Sequence, residues 1–385
     1  MTEKLYYADP GRFSFDARVL ECREGKGRWE IVLDRSAFFP EGGGQGGDAG
    51  TLGGVRVTDT HEREGTVVHW CDGPLSVGAV VKGCVDAALR FARMQVHSGE
   101  HIVSGTAHRE WGCENVGFHM TENGAVIDFD RELDEEQLER LELLANEAVW
   151  RDLPIRTLFP SPEELSGLSF RQKKELSGEI RLVEIPGVDL CACCAPHVKS
   201  TGCVGQIRFT SAMRHRGGVR LTMTAGRAAL SDARMLHANA EAVSRLFSAP
   251  REETAAAAER FAAQKNELEQ RCAVLEKKYT SLRAASFPGG ERDLLCFEDS
   301  SASSAALRDL AEALSEKCPG IAGAFAGEGS QWRYVLASKT ADLRAYGKSF
   351  NASLRGRGGG SPSMIQGSVN ASRKEIEELV YGKER

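Results

Sequence analysis

At 385 residues the chain has the length of about two or three domains, each able to bury its own core. A composition of 41% hydrophobic and 27% charged residues is that of an ordinary soluble protein, and no stretch approaches a membrane span. The net charge of −6 argues at first against a nucleic-acid partner. Met1–Pro10 lacks the apolar core of a signal peptide. The eleven cysteines are odd in number and crowd at Cys191–Cys194, a poor disulfide framework that points to a reducing, cytoplasmic setting.

Residues 1–90 read as a small all-β unit, expected to be a barrel. Ala17–Cys22, Trp29–Leu33 and Gly65–Trp70 are β-branched runs separated by Gly or Asp turns. Between them lies Phe38-Phe-Pro-Glu-Gly-Gly-Gly-Gln45-Gly-Gly-Asp48-Ala-Gly50, where six glycines surround one amide side chain. So much glycine is a costly connector unless the backbone must approach something closely, so the loop points at a ligand. A helical pattern opens near Ala87 and passes Phe91, Met94, His97 and His101 towards Trp111. Strand-like Ala125–Phe129 follows. Asp134-Glu-Glu-Gln137 then has the form of a capping box opening a helix with Leu138, Leu141, Leu144 and Val149 on one side.

Residues 91–227 are therefore expected to form an α+β domain. Over 228–285 helix formers dominate, and Phe261, Leu268, Leu275 and Leu282 recur at seven-residue intervals. That spacing predicts a short coiled coil, an antiparallel arm or a dimer seam, weakened by Lys265 and Cys272 in the companion positions. Residues 286–385 alternate strand and helix signals: Asp293–Phe297, an Ala-rich helix to Lys317, then Arg333–Ala337. A small α/β domain with a glycine-rich loop over 356–367 is expected there.

Two segments carry the chemistry. His97-Ser-Gly-Glu-His101 and Cys193-Cys-Ala-Pro-His197 each place two metal ligands at i and i+4, one helical turn apart. Three imidazoles and a thiolate suit tetrahedral Zn²⁺. Cys194 competes with Cys193 for that role, but Cys193 shares the i, i+4 spacing, and Cys194 is expected to be a small buried apolar residue. The first segment also spells the inverted zincin pattern, with Glu100 as a general base, so a zinc metallopeptidase competes. A zincin normally takes a carboxylate as third ligand, and here Cys-x₃-His is on offer instead.

Charge distribution qualifies the net value. Between Leu190 and Ser231 lie six basic residues (Lys199, Arg208, Arg214, Arg216, Arg220, Arg227) and no acid. Between Leu343 and Lys374 lie six more (Arg344, Lys348, Arg355, Arg357, Arg373, Lys374), again without an acid. Such windows in an acidic protein suit phosphates, although solvated surface charge can account for any single arginine.

The Gln45 loop, the His97 motif and Cys193-Cys-Ala-Pro-His197-Val-Lys-Ser-Thr-Gly202, in that order, resemble the editing region of alanyl-tRNA synthetases. They are still more similar to the free-standing AlaX trans-editing family. Gly358-Gly-Gly-Ser-Pro-Ser-Met-Ile-Gln366 resembles the glycine motif of the C-terminal DHHA1 domain, which matches the long AlaX architecture. Threonyl-tRNA synthetases share the metal motifs but lack the glycine loop. Two departures stand out: Cys-Cys-Ala-Pro-His replaces the usual Cys-Gly-Gly-Thr-His, giving a bulkier pocket wall, and Ser98 replaces a common Thr while keeping the hydroxyl.

The resemblance implies one zinc ion on His97, His101, Cys193 and His197. It implies hydrolysis of the ester joining serine or glycine to tRNA-Ala, with Gln45 and Ser98 contacting the substrate. Arg214, Arg216 and Arg220 would hold acceptor-end phosphates. Arg357, Gly358, Gly359, Gly360 and Gln366 would grip tRNA farther away or help form a homodimer, and no membrane partner is expected. With no activation module ahead of residue 13, the chain is expected to clear errors made by another enzyme. A zinc-stabilised RNA-binding protein without catalysis is the non-enzymatic alternative.

Overall fold

A computed structural model describes residues 1–25, 27–172, 180–290 and 292–382. They fall into two compact units, Met1–Ala242 and Val243–Arg385.

In the first unit the β-branched runs become β1 (Ser14–Gly25), β2 (Arg28–Leu33), β3 (Gly50–Leu52), β4 (Val55–Arg63), β5 (Thr66–Cys71) and β6 (Val80–Val85). They pair antiparallel in the order β1-β2-β5-β4-β3-β6, and β6 pairs back to β1. Alternating inward residues, among them Phe15, Ala17, Val19, Ile31 and Leu33, fill the interior with Phe38 and Leu52. The expectation of a self-contained all-β unit over 1–90 needs correction. Arg90, from the helix that follows, is fully buried against the glycine segment between β2 and β3, and the ring belongs to a compact unit that runs to Ala242.

That helix, α1 (Ala87–Trp111), opens on Asp86, whose side chain accepts from Leu89 N–H, and closes on left-handed Gly112. It is buried along Met94–Ala107, because sheets cover it on more than one side. One sheet consists of β7 (Asn115–Thr121) and β8 (Gly124–Phe129), completed by the long hairpin β12 (Ile207–His215) and β13 (Gly218–Ala225), in the order β12-β13-β8-β7. Helix α2 (Glu135–Trp150) begins with the expected reciprocal capping box between Asp134 and Gln137. A second, three-stranded sheet holds β9 (Arg156–Leu158), β10 (Leu182–Ile185) and β11 (Asp189–Ala192). Ile102, Val103, Ala107, Ile127, Leu141 and Leu221 form the shared core.

Helices α3 (Arg227–Phe247) and α4 (Thr254–Ala285) follow. The coiled coil expected over 228–285 is not formed. The chain breaks between the two helices at Ser248, with φ +49°, and Pro250. Phe261, Leu268, Leu275 and Leu282 stay 57%, 59%, 54% and 73% exposed. Helix α4 instead buries Ala257, Thr280 and Ala284, and Ala284 packs with Leu307, Leu310 and Leu314 of α5 (Ser304–Ser315).

The second unit adds β14 (Leu294–Glu298), β15 (Ala322–Glu328), β16 (Gln331–Ala337), α6 (Leu343–Ser353), β17 (Arg357–Gly360), β18 (Met364–Asn370) and α7 (Arg373–Tyr381). Its sheet runs β14-β15-β16-β18-β17, parallel only between β14 and β15. The α/β expectation is thereby corrected to a mainly antiparallel α+β arrangement. The glycine-rich stretch read as a loop is a hairpin, Gly358 facing Gly367 and Gly359 facing Gln366.

Candidate metal centre

His97 and His101 leave the buried middle of α1 on one face, while Cys193 and His197 lie on the segment that leaves β11. The four donor atoms lie within 4.8 Å of one another. Cys193 Sγ is 3.6 Å from His97 Nε2 and 3.4 Å from His197 Nε2. With Zn–S about 2.3 Å and Zn–N about 2.0–2.1 Å, a tetrahedral S···N edge is about 3.5 Å. The donor set therefore fits a zinc ion in size as well as in chemistry. Burial pushes the Cys193 thiol well above its usual range, and neighbouring Cys194 adds to this. A cation would offset that burial by stabilising the thiolate.

Each histidine presents Nε2 to this cluster because its Nδ1 is engaged elsewhere. His97 Nδ1 lies 3.0 Å from Gln45 Oε1, His197 Nδ1 3.0 Å from Ser98 Oγ, and His101 Nδ1 2.9 Å from Asp189 Oδ2. Burial raises the Asp189 pKa, but the His101 hydrogen bond and Arg171 outweigh it, and the net direction is down. Ser98 is fully buried, and its oxygen also accepts Val198 N–H at 3.2 Å. Gln45 is equally buried, and among the described residues its Nε2 has no hydrogen-bond partner. A buried amide donor left over beside a metal cluster is suited to an incoming acceptor.

The glycine loop that delivers Gln45 is held rigidly. Gly42 and Gln45 exchange backbone hydrogen bonds at 3.0 Å, and Met120 N–H donates to Gly44 O at 2.8 Å. Gly44 has φ +81°, and a Cβ there would stand 2.6 Å from the Phe118 ring, so a side chain is excluded on two counts. Asp48 accepts from Phe39 N–H at 2.7 Å and from the Arg90 guanidinium, which also donates to Ala37 O and Pro10 O. Arg93 donates to Gly46 O at 3.1 Å and to Gly47 O. Sequence reasoning missed Asp48, Arg90, Asp189 and Arg171. Arg90 did carry a signal: it lies seven residues before His97, hence on the ligand face of α1.

Glu100 is fully buried, and its Oε1 accepts from Ser104 Oγ at 2.7 Å and Asn115 Nδ2 at 2.6 Å. That anchoring, together with four nitrogen and sulfur donors, suits an internal structural carboxylate better than the base of a peptidase. Cys194, expected to be buried, is exposed.

The basic candidates divide. Arg220 is used internally: its Nε and Nη2 donate to Asp128 at 2.7 and 2.8 Å. Arg214, its side chain 86% exposed, pairs loosely with Glu132 at 3.3 Å, and Arg216 is exposed at the tip of the β12–β13 turn. In the second unit, Arg357 and Gly358–Gly360 are exposed, and Gln366 accepts from Arg308 at 3.0 Å.

Comparison with known proteins bears on this site. Residues 180–221, which include Cys193 and His197, match the family described as the threonyl and alanyl tRNA synthetase second additional domain. Over 243 residues the chain is 35% identical to the alanyl-tRNA editing protein AlaX-L of Pyrococcus horikoshii, covering 60% of each chain. The alanine–tRNA ligase of Methanoculleus marisnigri aligns with 100% of the chain at 31% identity, over 43% of the ligase. The chain thus spans about three fifths of AlaX-L and less than half of that ligase. The solved C-Ala domain of Aquifex aeolicus alanyl-tRNA synthetase covers 24% of the chain at 20% identity, with a TM-score of 0.21.

Proposed function

We propose that this chain, a homologue of AlaX-L and of the alanine–tRNA ligases, is a hydrolase that removes serine or glycine from mischarged tRNA-Ala, acting in trans. The observation that carries the reading is the convergence of His97, His101, Cys193 and His197 beneath the Gln45 loop. When bound there, zinc would fix the pocket and supply positive charge near the substrate's amine or hydroxyl. Four protein donors fill a tetrahedron, so the nucleophile is a water oriented by chain groups and by the terminal ribose hydroxyl. No covalent enzyme intermediate is required.

Gln45 has the clearest direct role. Its Oε1 holds His97 while Nε2 offers a donor to the ester carbonyl or to the serine hydroxyl. For the serine ester, a pocket built to hydrogen-bond the hydroxyl rejects alanine, which lacks it, far better than an apolar pocket can. Ser98 acts through His197, whose ring it orients. Exposed Arg214 and Arg216 would meet backbone phosphates of the acceptor end, and exposed Arg357 a phosphate elsewhere on the tRNA. Arg220 serves Asp128 instead. The eleven cysteines, three of them crowded at Cys191–Cys194, suit a reducing cytoplasm. No helix among the described residues is long and apolar enough to cross a membrane.

The test is deacylation of Ser-tRNA-Ala, Gly-tRNA-Ala and Ala-tRNA-Ala by the purified protein and by His101→Ala. Selective loss of serine or glycine that disappears in the variant is expected. Intact esters alongside tight tRNA binding would establish the RNA-binding alternative instead.

A further inference from the structure

The three imidazoles are oriented by chemically different partners. Two are neutral, the Gln45 amide and the Ser98 hydroxyl, and the third is the Asp189 carboxylate at 2.9 Å from His101 Nδ1. Asp189 is itself gripped by Arg171, whose Nε donates to Oδ1 at 2.7 Å and whose Nη2 donates to Oδ2 at 2.9 Å. The Asp189 side chain is buried and that of Arg171 is 9% exposed. Arg171 is fixed by its backbone as well: its N–H donates to Leu190 O at 2.8 Å and its O accepts Ala192 N–H at 3.0 Å. It therefore lies along β11 as an added strand residue, directly beside the carboxylate it holds.

Helix α1 is cut to admit this pair. Gly105 continues the ligand face, four residues after His101 and eight after His97. A Cβ at 105 would stand 2.6 Å from Asp189 Cβ and 2.5 Å from Val188 O. The close approach of β11 to the helix, and with it the reach of Asp189 to His101, requires glycine there.

We infer that Asp189, clamped by Arg171, is a positioning residue that locks His101 in its Nδ1–H form with Nε2 turned to the cation, and that this pair governs how tightly the site retains a divalent metal. The inference rests on the metal centre proposed above. An anionic acceptor on the second ring nitrogen raises ligand basicity, which a neutral amide or hydroxyl does less. The bidentate guanidinium keeps the carboxylate in one orientation and offsets its buried charge. His101 is thereby the strongest-held of the three rings.

Zinc affinity by chelator competition, combined with nitrogen-resolved NMR of the histidine tautomers in the metal-free protein, tests this. In Asp189→Asn, affinity is expected to fall about 10–100-fold, and His101 alone is expected to leave the Nδ1–H form. Ser98→Ala and Arg171→Lys should each lose less than Asp189→Asn. Unchanged zinc affinity in Asp189→Asn would overturn the inference, as would a tautomer change shared equally by all three rings. Should Asp189→Asn fail to fold by circular dichroism, Arg171→Lys decides, and wild-type affinity there counts against the clamp. Failure of the editing reading looks different: wild-type protein would bind zinc yet leave all esters intact, with the Asp189 effect on affinity unchanged.

Discussion

The candidate metal pocket of the first unit and helix α4 of the second both begin as regular spacings in the sequence, and they end differently. The i, i+4 pairs of His97–His101 and Cys193–His197 converge until their donor atoms lie within 4.8 Å. The heptad row Phe261, Leu268, Leu275 and Leu282 faces outward, every member more than half exposed. A period assigns residues to a face but says nothing of what covers that face. The histidines are covered because α1 runs through the middle of its unit, Gly105 lets a strand come within contact of it, and Gly44 lets the loop close on Phe118, whose ring lies 5.0 Å from that of His97. Helix α4 packs on α5 through the small residue Ala284, and its larger apolar residues stay exposed.

The sharpest way to break this contrast is to remove a donor. His101→Ala should lower zinc affinity more than about 100-fold, beyond the ceiling for outer partners, and abolish deacylation. Retention of both in the variant would show that convergence of the four donors is incidental. Next comes the buried clamp on the glycine loop. Arg90→Met leaves the Asp48 carboxylate without its cation in a dry site, and should cost about 3–5 kcal/mol in urea unfolding. A loss under about 1 kcal/mol would mean that water reaches Asp48 and that the loop is not held as described.

A third measurement concerns pH. His69 is fully buried in the β-ring, its Nδ1–H directed to Ile31 O and its Nε2 to Ser36 Oγ, and burial lowers its pKa from 6.5 to about 4. The unfolded chain therefore binds a proton at higher pH than the folded one. The contribution is fully present above about pH 6.5 and is lost as the pH falls towards 4, at up to about 1.4 kcal/mol per unit. His69→Gln should flatten the stability profile by that slope in this window. Parallel profiles would show that His69 titrates equally in both states. Gly44→Ala, forced against Phe118 at positive φ, should displace Gln45 and lower deacylation about 10–100-fold while zinc stays bound.

The legible part of the site was the part encoded by residue type and local spacing. His97, His101, Cys193 and His197 announce themselves by metal chemistry, and Gln45 by the glycines around it. The outer partners do not. Asp189 is 88 residues from His101 and Arg171 is 18 from Asp189, and each is an ordinary charged residue in its own segment. The approach of β11 to α1 at Gly105 brings in Asp189, and Arg171 arrives through its own backbone hydrogen bonds to Leu190 and Ala192. Basic windows were legible as composition but not as availability, since Arg220 spends its charge on Asp128 across the β8–β13 ladder. The glycine hairpin of the second unit was hidden for a related reason. Strand pairing there comes from backbone, with Gly358 and Gly360 facing Gln366 O and Met364 O too closely for any side chain.

The smallest expected effect closes the comparison on the side of α4. Leu268 and Leu282 are 59% and 73% exposed, so replacing both with serine removes little buried apolar area from the folded chain. Stability should change by no more than about 0.5 kcal/mol per site, the usual range for surface positions, apart from the modest helix-propensity cost of serine. Ala284→Leu, by contrast, overfills the contact with Leu307, Leu310 and Leu314 and should cost about 1–3 kcal/mol. The two substitutions lie on one helix, and their order of effect separates the face that packs from the face that carries the repeat. Should the serine pair prove the more damaging, the heptad row has a partner under the conditions of measurement. A protein-concentration dependence of that loss would then identify the partner as a second copy of the chain.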